Sequence, residues 1–144
     1  MAFARGHAAA ALLLMSGVLL AAPDARAGAG DVKNGEALYG RCVACHALAY
    51  DRTGPRHCGL LGRMAGTVKG FQYSDAMKHS NIIWTPGTLD RFLANPLKMV
   101  PGTAMGYAGV TIPKDRRDLI AYLRNANNSA ECRALLPGTA PVQR

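Results

Sequence analysis

Two thiols three positions apart, followed at once by an imidazole, stand at Cys42-Val43-Ala44-Cys45-His46. On one turn of helix, side chains at 42 and 45 point the same way, so both sulfurs can reach the two vinyl groups along one porphyrin edge. That run is the signature of covalent haem attachment. His46 then lies beneath the ring, where its imidazole can take one axial position on iron. A zinc half-site and a thioredoxin-like redox pair begin with the same cysteine spacing. Zinc would need a second ligand pair at similar spacing, which is absent, and a redox pair should follow a buried strand in a βαβ pattern.

The elements that position this motif begin after a leader. A positive segment carrying Arg5 precedes an apolar run from Ala8 to Leu20, broken only by Ser16 and Gly17, and then Ala25-Arg26-Ala27. This reads as a secretory signal peptide, residues 1–27, cut after Ala27. The alternative, a membrane anchor, needs an apolar stretch of ~18 residues or more, and this one has 13. No later segment is apolar enough to span a bilayer, so the expectation is a protein without stable membrane insertion. Haem of the covalent type is attached outside the cytoplasm, and leader and motif therefore point independently to the periplasm.

What remains after the leader is 117 residues, read as one compact domain over 28–136 with a disordered tail over 137–144. A domain of that size has a marginal core. A buried haem face would complete it, so the apoprotein is expected to fold poorly. Arg5, Arg26 and Asp24 leave with the leader, which lowers the formal charge from +8 to +7. An exported basic protein rarely meets nucleic acid; an acidic protein partner fits better.

The periodicity predicts a first helix over Asp31 to Arg41, with Asp31 as N-cap and Val32, Leu38 and Tyr39 as its apolar positions. Gly35, four before Tyr39, costs ~1 kcal/mol relative to Ala inside a helix, which suggests close approach by another helix. The expected partner is Lys114 to Ala126, behind Pro113, where Leu119, Ile120, Tyr122 and Leu123 recur at helical spacing. Between them a short helix capped by Ser74 is expected over Ser74 to His79. A better one runs from Pro86 to Asn95, opened by Thr85 and stopped before Pro96. Ala47 to Phe71 is long, glycine-rich and irregular, a loop that a buried cofactor could hold. No run has a strand period.

The order of motifs resembles the class I cytochrome c family, in particular bacterial cytochromes c2 and mitochondrial cytochromes c. The likeness runs from Gly35 and Tyr39 through Cys42 to His46, Thr53-Gly54-Pro55, Gly62-Arg63, Gly70-Phe71-Gln72-Tyr73, Trp84 and Asn95-Pro96. It continues through Pro101-Gly102-Thr103-Ala104-Met105 to Asp118-Leu119-Ile120-Ala121-Tyr122-Leu123. The resemblance implies an all-α fold, three main helices and long loops around one covalently bound haem c, in a monomer that shuttles single electrons. It implies His46 and Met105 as axial ligands, with Met105 favoured over Met64, Met77 and Met99 because it alone follows the Pro-Gly-Thr turn. Methionine ligation favours ferrous iron and raises the potential. The resemblance also implies that the Pro55 carbonyl accepts the His46 ring N–H, and that Arg63, Tyr73, Trp84 and Thr103 hold the buried haem propionate.

Departures from the family pattern are informative. Phe92 stands where a tyrosine is common and Met77 where an asparagine is, and both changes remove polar groups near the haem. Leu97, Ala104, Thr111 and Ile112 occupy positions that are commonly basic. The expected partner rim is reduced to Arg41, Arg52 and Lys98. Cys58 and Cys132 remain beyond the haem pair; in an oxidising compartment an even remainder most simply means one disulfide, against the alternative of two separate buried thiols. The leading functional expectation is an electron carrier, not an enzyme, docking on redox complexes with acidic surfaces. Two alternatives stand beside it: a haem peroxidase or gas-binding cytochrome, which needs an open distal iron site, and a cytochrome dedicated to one periplasmic dehydrogenase.

Overall fold

The computed structural model describes Met1 and residues 29–136. The expected signal peptide over 1–27 and the tail over 137–144 lie outside the described residues, Met1 apart. Among the described residues six helices follow one another: α1 (Val32–Tyr39), α2 (Asp75–Lys78), α3 (Pro86–Ala94), α4 (Pro96–Met99), α5 (Pro113–Ala126) and α6 (Ala130–Arg133). Among the described residues there is no strand, only an isolated antiparallel bridge between Met64 and Ile83. No described helix is long and apolar enough to cross a membrane.

Local chemistry sets the helix starts. The Asp31 carboxylate accepts from the N–H groups of Lys33 and Asn34, Ser74 caps α2, and Thr85 and Thr88 form a reciprocal capping box ahead of Pro86. The sequence expectation for the first helix needs two corrections. It ends at Tyr39 rather than Arg41, because Arg41 and Cys42 donate to Leu38 O and Tyr39 O, tightening the chain into i to i−3 turns. Val32 is 38% exposed, since it stands at the first position of α1. Beyond α5 the chain turns into α6, and α4 directly follows α3 behind Asn95.

The α1 and α5 helices pack closely at Gly35. A Cβ there would overlap the Asp118 carbonyl and stand 2.8 Å from the Tyr122 Cβ, so only glycine lets the two backbones approach this far. The same crossing is locked by Asp118, 2% exposed, whose carboxylate accepts from Asp31 N–H (2.8 Å), Asn34 Nδ2 (2.7 Å) and Lys114 Nζ (2.5 Å). Burial opposes ionisation of this carboxyl, but the Asp31, Lys114 and Asn34 hydrogen bonds outweigh it and hold the pKa at about 2. A group depressed in the folded state adds stability above its unfolded pKa, about 4, and that stability is lost as pH falls from there towards 2. The chemical-denaturation midpoint should therefore drop between pH 5 and pH 2, and Asp118→Asn should flatten that limb. An unchanged acid limb in the variant would contradict the assignment.

The long stretch 47–71 is held from three sides. Gly62 N–H donates to Trp84 O and Trp84 N–H returns to Arg63 O, flanking the isolated bridge. Cys58 N–H donates to Leu48 O, and Cys58 is bonded through sulfur to Cys132, 74 residues away in α6. Asn127 Oδ1 accepts from Gly59 N–H at 2.8 Å. The core formed by Tyr39, Leu60, Trp84, Phe92, Leu119 and Leu123 stands around a central hollow.

Candidate functional site

The hollow is a cavity of about 470 Å³, within the range of small-molecule and cofactor sites. Its wall includes Cys42, Cys45, His46, Pro55, Arg63, Tyr73, Trp84, Thr103 and Met105, together with Arg41 at its edge. Arg52 and Lys98 are exposed and do not line it, and Cys58 and Cys132 are buried behind the wall. Of the four methionines weighed as ligands, Met77 and Met105 line the cavity, whereas Met64 is 48% exposed and Met99 lies off the wall.

One side is built from the end of α1. His46 N–H donates to Cys42 O at 2.8 Å, so residues 42–46 close one α-type turn that carries both thiols. The sulfurs of Cys42 and Cys45 are not paired with each other. Burial pushes the Cys42 thiol up, with Arg41 opposing it; reactive redox pairs are marked by a lowered value instead. The His46 ring donates from Nδ1 to Pro55 O at 2.8 Å. A carbonyl can only accept, so the proton is on Nδ1 and Nε2 keeps its lone pair. Burial lowers the His46 pKa, and the Pro55 bond partly offsets this. Gly54 makes room for this ring: a Cβ there would collide with Cε1, Nδ1 and Nε2.

The opposite side is the loop that carries Met105. Gly102 turns it at φ +86°, and Thr103 Oγ1 accepts from Met105 N–H at 3.3 Å. Gly109, at φ +103°, lets Val110 N–H reach Leu93 O (2.8 Å), because a side chain there would strike the Ala94 carbonyl. Arg116 fixes the far end: Nη1 donates to Val110 O (2.9 Å) and Thr111 O (3.0 Å), and Nε to Asp90 Oδ1 (2.8 Å). The methionine loop is thus tied to both α3 and α5. Arg63 donates to Cys58 O and Arg56 O, each at 3.0 Å, and Trp84 packs on Phe92 at 4.9 Å between ring centroids.

Sequence reasoning missed two residues of this architecture. Arg116, between Asp115 and Arg117, looks like surface charge, yet it is buried. His57 lines the cavity with its ring stacked on His46 at 4.3 Å and its Nδ1 3.1 Å from the Tyr39 hydroxyl. No spacing rule brings residue 57 over residue 46.

An apolar hollow bordered by two unpaired thiols, a neutral imidazole with a free Nε2 and a thioether has the donors a covalently attached haem requires. A family model described as Cytochrome c matches residues 32–127, from the first residue of α1 to just past α5. The chain belongs to the cytochrome c family. Cytochrome c of Gibberella zeae is 45% identical over 101 residues, 67% of this chain and 95% of the relative. Cytochrome c2 of Blastochloris viridis is 41% identical over 112 residues, 76% of this chain and 88% of the relative. Among solved structures, cytochrome cH from Methylobacterium extorquens superposes with a TM-score of 0.66 at 40% identity, covering 67% of this chain and 99% of that one. As a cytochrome c, the protein binds one covalently attached haem c and is an electron carrier rather than an enzyme.

Proposed function

We propose that this cytochrome c is an exported, periplasmic single-electron carrier that binds its haem through Cys42 and Cys45 and ligates iron through His46 and Met105. The observation that carries the reading is that the His46 imidazole and the Met105 thioether border the same apolar cavity as the two thiols. When bound, haem supplies a one-electron iron couple, for which a histidine and methionine pair favours the ferrous state. The chain's own residues do the rest. Pro55 O holds the His46 tautomer that leaves Nε2 available. Arg116 keeps the Met105 loop on the cavity, where the thioether would hold iron that an oxygen-activating or gas-binding site would leave open. Arg63, Tyr73, Trp84 and Thr103 offer donors to a buried propionate, where a carboxylate is the strongest acceptor. Export is supported by the leader composition of residues 1–27.

Electron exchange with larger redox proteins would occur at the haem edge near Cys42, with the exposed Arg41, Arg52 and Lys98 meeting an acidic partner surface. The positive rim acts on encounter rate, so the second-order electron-transfer rate should fall as ionic strength rises and the Debye length shrinks from ~10 Å at 0.1 M towards ~3 Å at 1 M. Lys98→Glu should lower that rate several-fold at low salt and leave the visible spectrum unchanged, as stopped-flow mixing with the native partner would register. A rate independent of salt, with Lys98→Glu silent, would refute the electrostatic rim and favour apolar contact with one dedicated dehydrogenase, for which the exposed Leu97 and Ile112 are candidates.

A further inference from the structure

We infer that His57 is a positioning residue that sets the plane of the His46 imidazole and couples it to the α1–α5 crossing. The inference rests on the reading of His46 as an iron ligand. The hydrogen bond from His46 Nδ1 to Pro55 O fixes one direction of the ring, but a single bond leaves the ring free to rock about that line. Gly54 lies over one face of the ring near Cε1, where an added Cβ would stand 2.3 Å from Cε1 and 2.6 Å from both Nδ1 and Nε2, and so bounds the ring on that side. The flat partner that bears on the plane is the His57 ring, 4.3 Å away between centroids and tilted by only 23°. Stacked rings resist tilting against each other, whereas an aliphatic side chain of similar size offers no flat face.

A stacking neighbour can hold a plane only if it is itself held, and His57 is restrained on every part of its frame. Its backbone N–H is shared between Ala47 O (3.1 Å) and Leu48 O (3.0 Å). The next residue, Cys58, is anchored to α6 through the disulfide. Its ring is bonded at Nδ1 to the Tyr39 hydroxyl, and Tyr39 packs edge-on against it at 5.7 Å. Tyr39 in turn lies 5.1 Å from Tyr122 of α5. A continuous path of ring contacts therefore runs from Tyr122 through Tyr39 and His57 to His46. The helix crossing closed at Gly35 thereby fixes the orientation of the side chain that faces the cofactor. Ring orientation at an axial ligand governs how its π orbital mixes with the iron d orbitals, and partners outside the ligand shell tune a metal in this way.

The test uses the haem-loaded protein and four forms of it: wild type, His57→Leu, His57→Phe and Tyr39→Phe. Proton NMR of the ferric state reads the haem methyl shifts, whose order reports the axial imidazole plane, and a redox titration reads the potential. His57→Leu should reorder the methyl resonances and displace the midpoint potential, with the low-spin optical spectrum retained. His57→Phe, which keeps a flat ring, should preserve the wild-type order. Tyr39→Phe, which removes the hydrogen bond while leaving the stack, should give a smaller displacement in the same direction as His57→Leu. Wild-type methyl order and potential in His57→Leu, whatever its melting temperature, would overturn the inference and leave His57 a packing residue. A wild-type protein that lacks a low-spin histidine and methionine spectrum would instead remove the ligand reading beneath it and the inference with it.

Discussion

Gly35→Ala is expected to destabilise the haem-loaded protein by more than about 2 kcal/mol, although alanine is the better helix former by ~1 kcal/mol. The added methyl would overlap the Asp118 carbonyl and crowd the Tyr122 Cβ, and neither belongs to the yielding end of a flexible side chain. The α1 and α5 backbones would have to separate. Separation weakens the three hydrogen bonds that converge on the Asp118 carboxylate, so steric and polar losses add. A guanidinium titration gives the midpoint directly. An unchanged or raised midpoint would mean that the crossing tolerates the methyl and that Gly35 is there for some other reason.

Removal of the Cys58–Cys132 bridge should have a comparable effect. The bond closes a loop with a sequence separation of 74 residues, for which the chain-entropy model gives about 4.5 kcal/mol, and removing a native disulfide typically costs about 2–5 kcal/mol. Cys58→Ala paired with Cys132→Ala should therefore lower the melting temperature by roughly 10 °C or more. Cys132 is 0% exposed and Cys58 is buried, so the substitution also leaves a gap beneath the loop that carries His57. Thiol labelling of the unfolded, unreduced wild-type protein should detect no free cysteine. A labelled thiol, or a double variant as stable as wild type, would count against the bridge.

Much of this fold is readable from short-range chemistry. Asp31, Ser74 and Thr85 with Pro86 announce helix starts because a cap needs only its next three residues. Gly35 betrays the crossing because glycine in a helix interior carries a cost that only close approach offsets. The four-residue helices α4 and α6 escape notice because one turn has no period to detect, and α2, equally short, is legible only through its Ser74 cap. At the cavity, the cysteine and histidine spacing and the turn before Met105 are local patterns and are legible. The Arg116 bonds to Val110 O and Thr111 O and the stacking of His57 on His46 depend on how distant loops fold back, and neither leaves a periodic trace. The same limit applies to the rim, where exposure of Arg52 and Lys98 is visible only in the folded chain.

On the proposed reading, His46 and Met105 would both hold the haem iron and leave it no open site, as a carrier requires. The most direct measurement is the near-infrared absorption of the ferric protein at neutral pH, followed by exposure of the ferrous protein to carbon monoxide. The weak sulfur-to-iron band should be present in the wild type and absent in Met105→Ala, and only the variant should bind carbon monoxide readily. A wild-type protein without that band, or one that takes up carbon monoxide as readily as Met105→Ala, would contradict the account and support an open-site haem protein.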